Sequence, residues 1–480
     1  MAETVFIPLS FEKGINEYAE ASELPDGYGT VIQNWIPEAS GSLRVPWAWL
    51  SASTGGYSLA RTVRGIGYYV SPTGGKIFIV QVLNATNYNL WWIPVGSLAG
   101  GTWTSFHTVA VSTTTRPVAM AAGAGYLLHC TPEYPSSVIA RWDGTTATTV
   151  PGPAGRALVY HNNRFFVGGA TVNPTYLRWS ELGDSSVWNL DTNVQPIGEN
   201  DGEPIEDLAS WDRALFIGKE NSIWVQTAFG FRDFTWRQLD GGGVAPGRTL
   251  VTTPQGIMAI GRERIWWFAG GGFQPISQPI ETSYGMTGNY MTGTYIDDNV
   301  YVCDAGTGKV WVWDLNSKAW HTETFDTANE GPEYVASHAD YLFGGAKLAS
   351  TNGPLLYRRM PGTTRTRIPG SAMTFQATTG DARYAEAVRP LTALHLYLTI
   401  RQRAADQGTI LTTKHYVDGV LNRTETTAMQ AAAGVRRVRL DFGGTGYGHQ
   451  FDFTTTVASN DTDVFDIESA ELEAQVNPPR

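Results

Sequence analysis

A repeated unit of short aromatic strands separated by turn residues is the feature that most restricts the fold of this chain. One clear copy is Lys309-Val310-Trp311-Val312-Trp313, which lies between turn residues at 304–308 and 314–317. Valines and tryptophans alternate in this strand, so both of its faces are expected to be covered. Similar units recur about every 35–50 residues, over residues 64–95, 117–150, 157–188, 205–229, 249–276, 292–324 and 333–360.

These repeats predict an all-β chain built around a β-propeller of about seven blades, because stacked blades cover both faces of every sheet. The composition favours the same fold class. The 53 glycines and 25 prolines supply turns, whereas the 17 tryptophans and 21 tyrosines favour strands. Within the repeats, segments such as 304–308 are expected to be hairpin turns.

The repeat pattern stops at a Pro/Gly/Thr/Arg segment, and the strands that follow are longer and lack tryptophan. We therefore expect an extended N-terminal arm at residues 1–55, the propeller at 56–360, a linker at 361–370 and a C-terminal β-sandwich or jelly roll at 371–480. The arm contains only short apolar segments separated by turn residues and cannot form a hydrophobic core alone. Packing of this arm on a neighbouring copy of the chain would explain its length.

Charge and cysteine content exclude several classes of protein. The formal charge is −11, from 34 Lys and Arg against 45 Asp and Glu, so an overall basic surface for wrapping nucleic acid is absent. Two cysteines, Cys130 and Cys303, do not form a disulfide framework and fit folding in a reducing cytoplasm. We expect no secretory signal, and no apolar stretch approaches the roughly 18–20 residues of a membrane helix.

The familiar catalytic and cofactor motifs are absent from the sequence. Residues 306–309, Gly-Thr-Gly-Lys, lack the Ser or Thr that follows the lysine of a phosphate-binding loop, and a hairpin turn is expected there. The glycine-rich residues 443–448 lack the dinucleotide-binding spacing, and no Gly-x-Ser-x-Gly motif is present. The eight histidines show no close metal-ligand spacing. The sequence predicts no cofactor, no metal and no enzymatic activity.

Acidic residues in three loops are the candidates for a site. The first loop carries Glu199, Asp201 and Glu203, and the others carry Asp297-Asp298 and Asp461-Thr462-Asp463. Paired carboxylates serve glycosidases, and the first loop could also bind calcium. All three loops are nevertheless rich in turn residues, where Asp and Asn are expected for backbone hydrogen bonding. Interface or channel contacts are the remaining role for Glu199, Asp201 and Glu203.

A basic cluster stands out in this acidic chain. It consists of Arg358, Arg359, Arg365 and Arg367. The cluster could contact an acidic partner protein or the phosphates of passing DNA. A solvated linker is the alternative.

Several short motifs over residues 10–360 occur together. They are Lys13-Gly14-Ile15-Asn16, Leu24-Pro25-Asp26-Gly27, Gln33-Asn34-Trp35-Ile36-Pro37, Gly41-Ser42-Leu43-Arg44 and the segments 163–167, 177–189, 197–208 and 215–225. Together they resemble tail hub and nozzle proteins of short-tailed bacteriophages, including the packaged-DNA stabilisation proteins. The sequence departs from that pattern at Val45-Pro46-Trp47, where relatives tend to carry an Arg-Pro-Gly type turn. The local turn, rather than the family, is affected by this departure.

The resemblance implies a structural virion protein, made in the host cytoplasm and located in the tail. It implies a homo-oligomeric ring, expected to be a hexamer, that sits below the portal and adaptor proteins and continues the DNA channel. Tail fibre, spike or needle proteins are the other implied partners, with phage DNA passing during ejection and no insertion into a membrane. An acidic channel wall would repel DNA phosphates and so suit this passage.

Two other functions are compatible with the residues. A propeller glycosidase or a sugar-binding, receptor-recognising tail-tip protein would need a pocket where carboxylates and aromatic rings converge. A cellular scaffold would need a monomeric propeller with one binding face. The oligomeric state separates both from a ring-forming tail protein.

Overall fold

The computed structural model describes most of the chain and places it almost entirely in β-strands. The described residues are 3–17, 24, 28–44, 50–51, 62–71, 74–84, 87–110, 116–130, 138–198, 201–229, 234–325, 331–346, 355–359, 373–379, 381–382, 390–402, 409–429, 433–457 and 465–477. Two short 3₁₀ turns, Val95–Ser97 and Gln278–Ile280, are the helical elements of these ranges.

Six short strands precede the first repeat. They are β1 (Glu3–Leu9), β2 (Gly14–Ile15), β3 (Tyr28–Gln33), β4 (Ile36–Pro37), β5 (Leu43–Arg44) and β6 (Leu50–Ser51). Strand β4 pairs with β5, and each of the other five pairs with a strand from later in the chain.

Seven four-stranded blades follow, and the inner strand of each blade comes first in the chain. Blades one to three are β7–β10 (Val63–Ser71, Gly74–Asn84, Asn87–Pro94, Thr104–Ala110), β11–β14 (Ala119–Gly123, Tyr126–Cys130, Val138–Trp142, Ala147–Pro151) and β15–β18 (Ala157–His161, Arg164–Gly168, Tyr176–Trp179, Val194–Pro196). Blades four and five are β19–β22 (Ile205–Trp211, Ala214–Lys219, Ile223–Phe229, Phe234–Leu239) and β24–β27 (Leu250–Thr253, Gly256–Ile260, Ile265–Phe268, Gln274–Pro275).

Blades six and seven complete the ring. Blade six is β28–β31 (Met291–Ile296, Asn299–Asp304, Val310–Asp314, Trp320–Glu323), and β23 (Gly247–Arg248) pairs in parallel with its inner strand. Blade seven takes three strands from its own repeat, β32–β34 (Pro332–His338, Tyr341–Ala346, Leu355–Arg359), and its outer strand is β6 from the N-terminal segment. The inner strand β32 packs against β7 of blade one, so the seven blades close into a circle.

Large aromatic side chains fill the spaces between adjacent blades. Trp142 of blade two contacts Phe78 of blade one at a ring-centroid distance of 4.8 Å, and Trp179 of blade three contacts Phe234 of blade four at 4.9 Å. Both tryptophans are fully buried. Flat sheets that face each other need such large side chains between them, which explains the aromatic repeats. The fold class predicted from the sequence, a propeller of about seven blades with a C-terminal β-sandwich, is confirmed.

The C-terminal sandwich consists of two sheets. Its strands are β35 (Met373–Thr379), β36 (Leu391–Gln402), β37 (Ile410–Val417), β38 (Val420–Ala428), β39 (Gly434–Asp441), β40 (Thr445–Gly446), β41 (His449–Val457) and β42 (Phe465–Val476). One sheet has the order β39-β36-β42-β5-β4, with β1 added beside β42 and β40 beside β36. The other continues from β38 through β37, β41, β35, β3 and β2 into β31, so it is one sheet with blade six.

A tight turn divides the stretch at residues 414–420. Asp418 and Gly419 both have positive φ and form a hairpin turn between β37 and β38. Asp-Gly is a preferred pair for such two-residue turns. The second arm of this hairpin, β38, is mostly exposed and has little apolar alternation, so the sequence pattern did not reveal it.

The N-terminal segment is built into the chain's own fold rather than extended from it. Strand β1 pairs along its whole length with β42, and β3 lies between β35 and the sixth blade. Trp35 is fully buried, with its ring 5.7 Å from Phe375 and 6.1 Å from Phe465. The expectation of an arm that packs on a neighbour is therefore corrected, and its length is no argument for assembly. The predicted linker at 361–370 lies outside the described residues.

Candidate functional site: the central channel

A channel runs along the propeller axis between the seven inner strands. Its volume is about 380 Å³, and residues of every blade except the sixth line it, among them Gly67, Ala122, Tyr160 and Ser210. Among the described strands, every inner strand except β28, which also pairs with β23, pairs on one side only. The other edge of these strands presents backbone N–H and C=O groups to the channel. The channel is therefore a polar space of a size suited to a small molecule.

Seven polar residues, one from each blade, lie at the end of the propeller where the inner strands begin, and two of them, Arg156 and Arg248, line the channel itself. We call the seven residues the polar ring: Arg64, Arg116, Arg156, Glu206, Arg248, Tyr290 and Glu333. Each lies at the second position of an inner strand or up to three residues before it. The polar ring forms because the inner strands pack side by side around the axis. Residues at the same position of each repeat are thereby brought close together.

Glu206 holds two arginines of the polar ring. Its carboxylate accepts a close hydrogen bond from Arg156 and lies 3.4 Å from the Nη1 atom of Arg116. The Glu206 side chain is buried, and burial raises its pKa above the ordinary value although both guanidinium groups lower it. This ion-paired group joins blades two, three and four.

Arg64 forms the second ion pair of the polar ring. Its Nη1 atom lies 3.1 Å from the Glu333 carboxylate and donates to the Tyr290 hydroxyl at 2.6 Å. Burial is the main cause of a strongly raised pKa for Tyr290, so this phenol stays protonated. These contacts join blades one, six and seven across the closure of the ring.

Arg248 differs from the other three arginines of the polar ring. It is exposed to the channel, faces Asp207 and Tyr334, and has no carboxylate within 4 Å among the described residues. Asp207 instead accepts backbone hydrogen bonds from Thr249 and Leu250 at 2.6 and 2.7 Å. Burial raises the pKa of Asp207 to about 6, although these hydrogen bonds lower it.

Neutral polar and aromatic groups surround the opposite end of the channel. Tyr68 and His338 stack on each other, and the His161 Nδ1 atom lies 2.7 Å from the Ser210 hydroxyl. Burial lowers the pKa of both His161 and His338. The channel thus has a charged end and a hydroxyl-rich end.

The two described carboxylates of the acidic loop predicted at residues 199–203, those of Asp201 and Glu203, are bound to neighbouring residues of the fold. Asp201 accepts a close hydrogen bond from Lys219, whose fully buried ammonium also donates to the Ile197 carbonyl at 2.8 Å. Glu203 accepts hydrogen bonds from the backbone and side chain of Asn221. Glu199 lies outside the described residues.

The other predicted candidates are dispersed. Asp297 and Asp298 form the turn between β28 and β29, both with positive φ, and residues 306–309 form the expected hairpin turn. Arg358 and Arg359 belong to β34, while Arg365, Arg367 and residues 461–463 lie outside the described part. Among the described residues, no group of three or more His, Cys, Asp or Glu could hold a metal ion, and no helix is long and apolar enough to cross a membrane.

Two histidines that are far apart in sequence meet inside the sandwich. The Nε2 atom of His415 lies 2.9 Å from Nδ1 of His449, and both side chains are fully buried. The Nε2 atom of His449 lies 3.1 Å from the Leu391 carbonyl, and Nδ1 of His415 lies 3.2 Å from the Asn422 amide. All three of these hydrogen bonds can form when both imidazole rings are neutral. The sequence spacing missed the pair because β37 and β41 bring it together by strand pairing.

The buried histidine pair predicts a loss of stability in mild acid. Burial lowers the pKa of His415 to about 4, and that of His449 is also lowered, whereas an unfolded histidine titrates near about 6.5. Between these values the unfolded chain binds more protons, so stability present above pH 6.5 is lost as the pH falls towards 4. For His415 the loss reaches about 3 kcal/mol, measurable by urea unfolding at pH 7 and pH 4.5.

Two variants separate this effect from general acid sensitivity. His415→Gln removes the titrating group, so its free energy of unfolding should fall less between pH 7 and 4.5 than that of the unmodified protein. Phe442→Leu alters packing against the same ring without removing the titrating group, and should retain the original pH dependence. Equal pH dependence in all three proteins would refute the role of His415.

Comparisons with known proteins give no family for this chain. No family model matches, and no curated protein matches the sequence. Among solved structures, a catalytically inactive virginiamycin B lyase from Staphylococcus aureus with quinupristin is 11% identical, with a TM-score of 0.47 over 65% of this chain and 99% of the lyase. AztD from Citrobacter koseri in its apo form is 12% identical, with a TM-score of 0.37 over 62% of this chain and 89% of AztD.

A third solved structure, Hsv2 from Kluyveromyces lactis, is 10% identical, with a TM-score of 0.33 over 53% of this chain and 74% of Hsv2. The identity of all three structures to this chain is low. The propeller assignment rests on the strand pairings described above.

Proposed function

We propose that this chain is a structural subunit of a bacteriophage tail, of the hub or nozzle type, and that it acts without catalysis. Copies would form a ring around the tail axis below the portal and adaptor, with tail fibre, spike or needle proteins as further partners. The proposal rests on the resemblance of residues 10–360 to such proteins. The observation that supports it best is that the residues of the resembling motifs form contacts that stabilise the fold.

The motif at residues 163–189 illustrates this architectural use. Arg164 donates to the Ser180 carbonyl at 2.8 Å, and the Ser180 hydroxyl accepts from the Phe165 backbone at 3.0 Å. The Gly183 N–H donates to the Asn163 carbonyl at 2.7 Å. These contacts fix the long connection that follows β17 onto its own blade. Side chains used in this way are fully occupied by folding and are unsuited to catalysis.

The size of the propeller channel determines where DNA would pass. A space of about 380 Å³ is in the range of small-molecule pockets and is far too small for a DNA duplex. In the proposed ring, the lumen for DNA therefore lies between copies of the chain and not within each propeller.

An exposed apolar cluster in the sandwich is a suitable contact between copies. Val420 and Leu421, at the tip of the β37–β38 hairpin, are 70% and 51% exposed, and Tyr447 is 54% exposed. The Asp418 carboxylate accepts from the Tyr447 backbone N–H at 2.9 Å, which holds the two segments together. We call these three side chains the tip cluster. Among the described strands, the adjacent β38 pairs only with β37 and so forms an edge of its sheet, and such edges readily associate.

Charging the tip cluster tests the proposed assembly. Leu421→Lys should reduce the oligomer to smaller species or monomers, because burying a lysine in an apolar contact is strongly unfavourable. Native mass measured over a range of concentrations reports the change. Leu182→Lys is a matched control, since Leu182 is also exposed, at 54%, but lies in blade three. Assembly that is unaffected by Leu421→Lys would contradict this interface, and a protein that stays monomeric and cleaves a polysaccharide would contradict the proposed function.

A further inference from the structure

One cation of the polar ring lacks the partner that the other three have. Arg64, Arg116 and Arg156 each lie within 4 Å of a carboxylate, whereas Arg248 has none at that distance among the described residues. The Arg248 side chain lines both the channel and a smaller cavity that also includes Arg116, Arg156 and Glu206. It therefore stands at the charged end of the channel, where its guanidinium group faces the Tyr334 hydroxyl and Asp207 and also lines the cavity.

The carboxylates near Arg248 are committed to other groups. Glu206 is shared by Arg116 and Arg156, and Asp207 is held by three backbone N–H groups, those of Leu208, Thr249 and Leu250. Among the described residues at this end of the propeller, four guanidinium groups stand against three carboxylates, which leaves a net positive charge. An anion entering the channel would thus meet an arginine that can form two parallel hydrogen bonds with it.

The rest of the channel is suited to hydroxyl groups. The free edges of the inner strands offer backbone donors and acceptors, and Tyr160 and Ser210 add side-chain groups at the far end. Asp207 and Ser210 lie on the same inner strand, three residues apart, which corresponds to about 10 Å along the axis. This length matches a molecule of one or two sugar rings.

We propose that the propeller channel binds a small hydroxyl-bearing anion, a sugar acid or a sugar phosphate, with its charged group at Arg248. The acid group contacts the Arg248 guanidinium, and the hydroxyl groups contact the strand edges towards Ser210. This inference concerns the interior of a single propeller and does not depend on assembly into a tail.

Titration with three related sugars tests the site. Glucuronate, glucose 6-phosphate and uncharged glucose are each titrated into the full chain and followed by ligand-observed NMR or calorimetry. At least one of the two anions should bind about tenfold or more tightly than glucose, the factor expected for a charge-assisted hydrogen bond. Stronger binding of glucuronate identifies a carboxylate ligand, and stronger binding of glucose 6-phosphate identifies a phosphate ligand.

Variants locate the binding in the channel. Arg248→Gln should weaken anion binding by about tenfold or more. Ala122→Trp retains Arg248 but fills the channel from the inner strand of blade two, and should also abolish binding. Arg264→Gln removes an exposed surface arginine outside the channel and should leave binding unchanged. Thermal unfolding confirms that each variant is folded.

Three results would overturn the proposal. They are equal affinity for glucose and both anions, absence of binding by either anion, and binding that folded Arg248→Gln and Ala122→Trp proteins retain in full. None of these outcomes depends on whether the chain forms a ring, so the site and the proposed function fail separately.

Discussion

Deletion of residues 1–51 should prevent the chain from folding into a soluble protein. The segment contributes five large apolar side chains that are at most 1% exposed, Phe11, Ile15, Ile32, Trp35 and Leu43. Burying each one stabilises the fold by about 1.5–3 kcal/mol, so their combined loss equals the total stability of about 5–15 kcal/mol of a typical domain. The deletion also removes β1 from beside β42 and the outer strand of blade seven.

The yield of soluble protein and the cooperativity of thermal unfolding measure this result. A matched control keeps every residue but introduces a protease site between residues 52 and 60, before the first blade. After cleavage the two fragments should remain together on size exclusion, because the contacts of the N-terminal segment are with the rest of its own chain. A deleted protein that unfolds like the full chain would show that these pairings contribute nothing.

Replacement of Glu206 by glutamine should lower the free energy of unfolding by about 3–5 kcal/mol. The variant leaves the guanidinium groups of Arg116 and Arg156 without their shared carboxylate. The Arg156 side chain is only 17% exposed, so water cannot replace the lost partner fully. Urea unfolding at neutral pH measures the change.

Arg116→Gln is the matched control for Glu206→Gln. Arg116 is more exposed and lies 3.4 Å from the carboxylate, and Glu206 keeps its closer partner Arg156 in this variant. The loss should therefore stay below about 1 kcal/mol, as for partly exposed ion pairs. An equal loss of unfolding free energy in the two variants would show that Glu206 is not the residue that stabilises the polar ring.

The seven repeats were predictable from the sequence because each blade places two aromatic or β-branched strands at its centre. Most of the outer strands were missed, although the sixth repeat, 292–324, includes its outer strand β31. In β22, for example, only the two terminal residues are buried, so no apolar alternation marks it. The outer strand of blade seven could not be predicted either, because β6 has two residues and lies about 300 residues before its partner β34.

The candidate site was largely hidden from sequence analysis. Acidic residues close together in the sequence were the predicted candidates. In the structure, Asp201 and Glu203 instead accept hydrogen bonds from Lys219 and Asn221. The polar ring is formed by residues that are tens of positions apart and meet only when the circle closes. A weak signal existed, since arginine or glutamate stands at the start of six of the seven repeats, but its meaning depends on knowing which strand is innermost.

Imaging the purified full-length protein by electron cryomicroscopy tests the central claim most directly. The proposed function predicts a closed ring, expected to have six copies, with an axial opening wide enough for a DNA duplex and the tip cluster of each sandwich at a contact between copies. A particle that remains a single propeller with its sandwich at all concentrations, or an assembly without an axial opening, would contradict it.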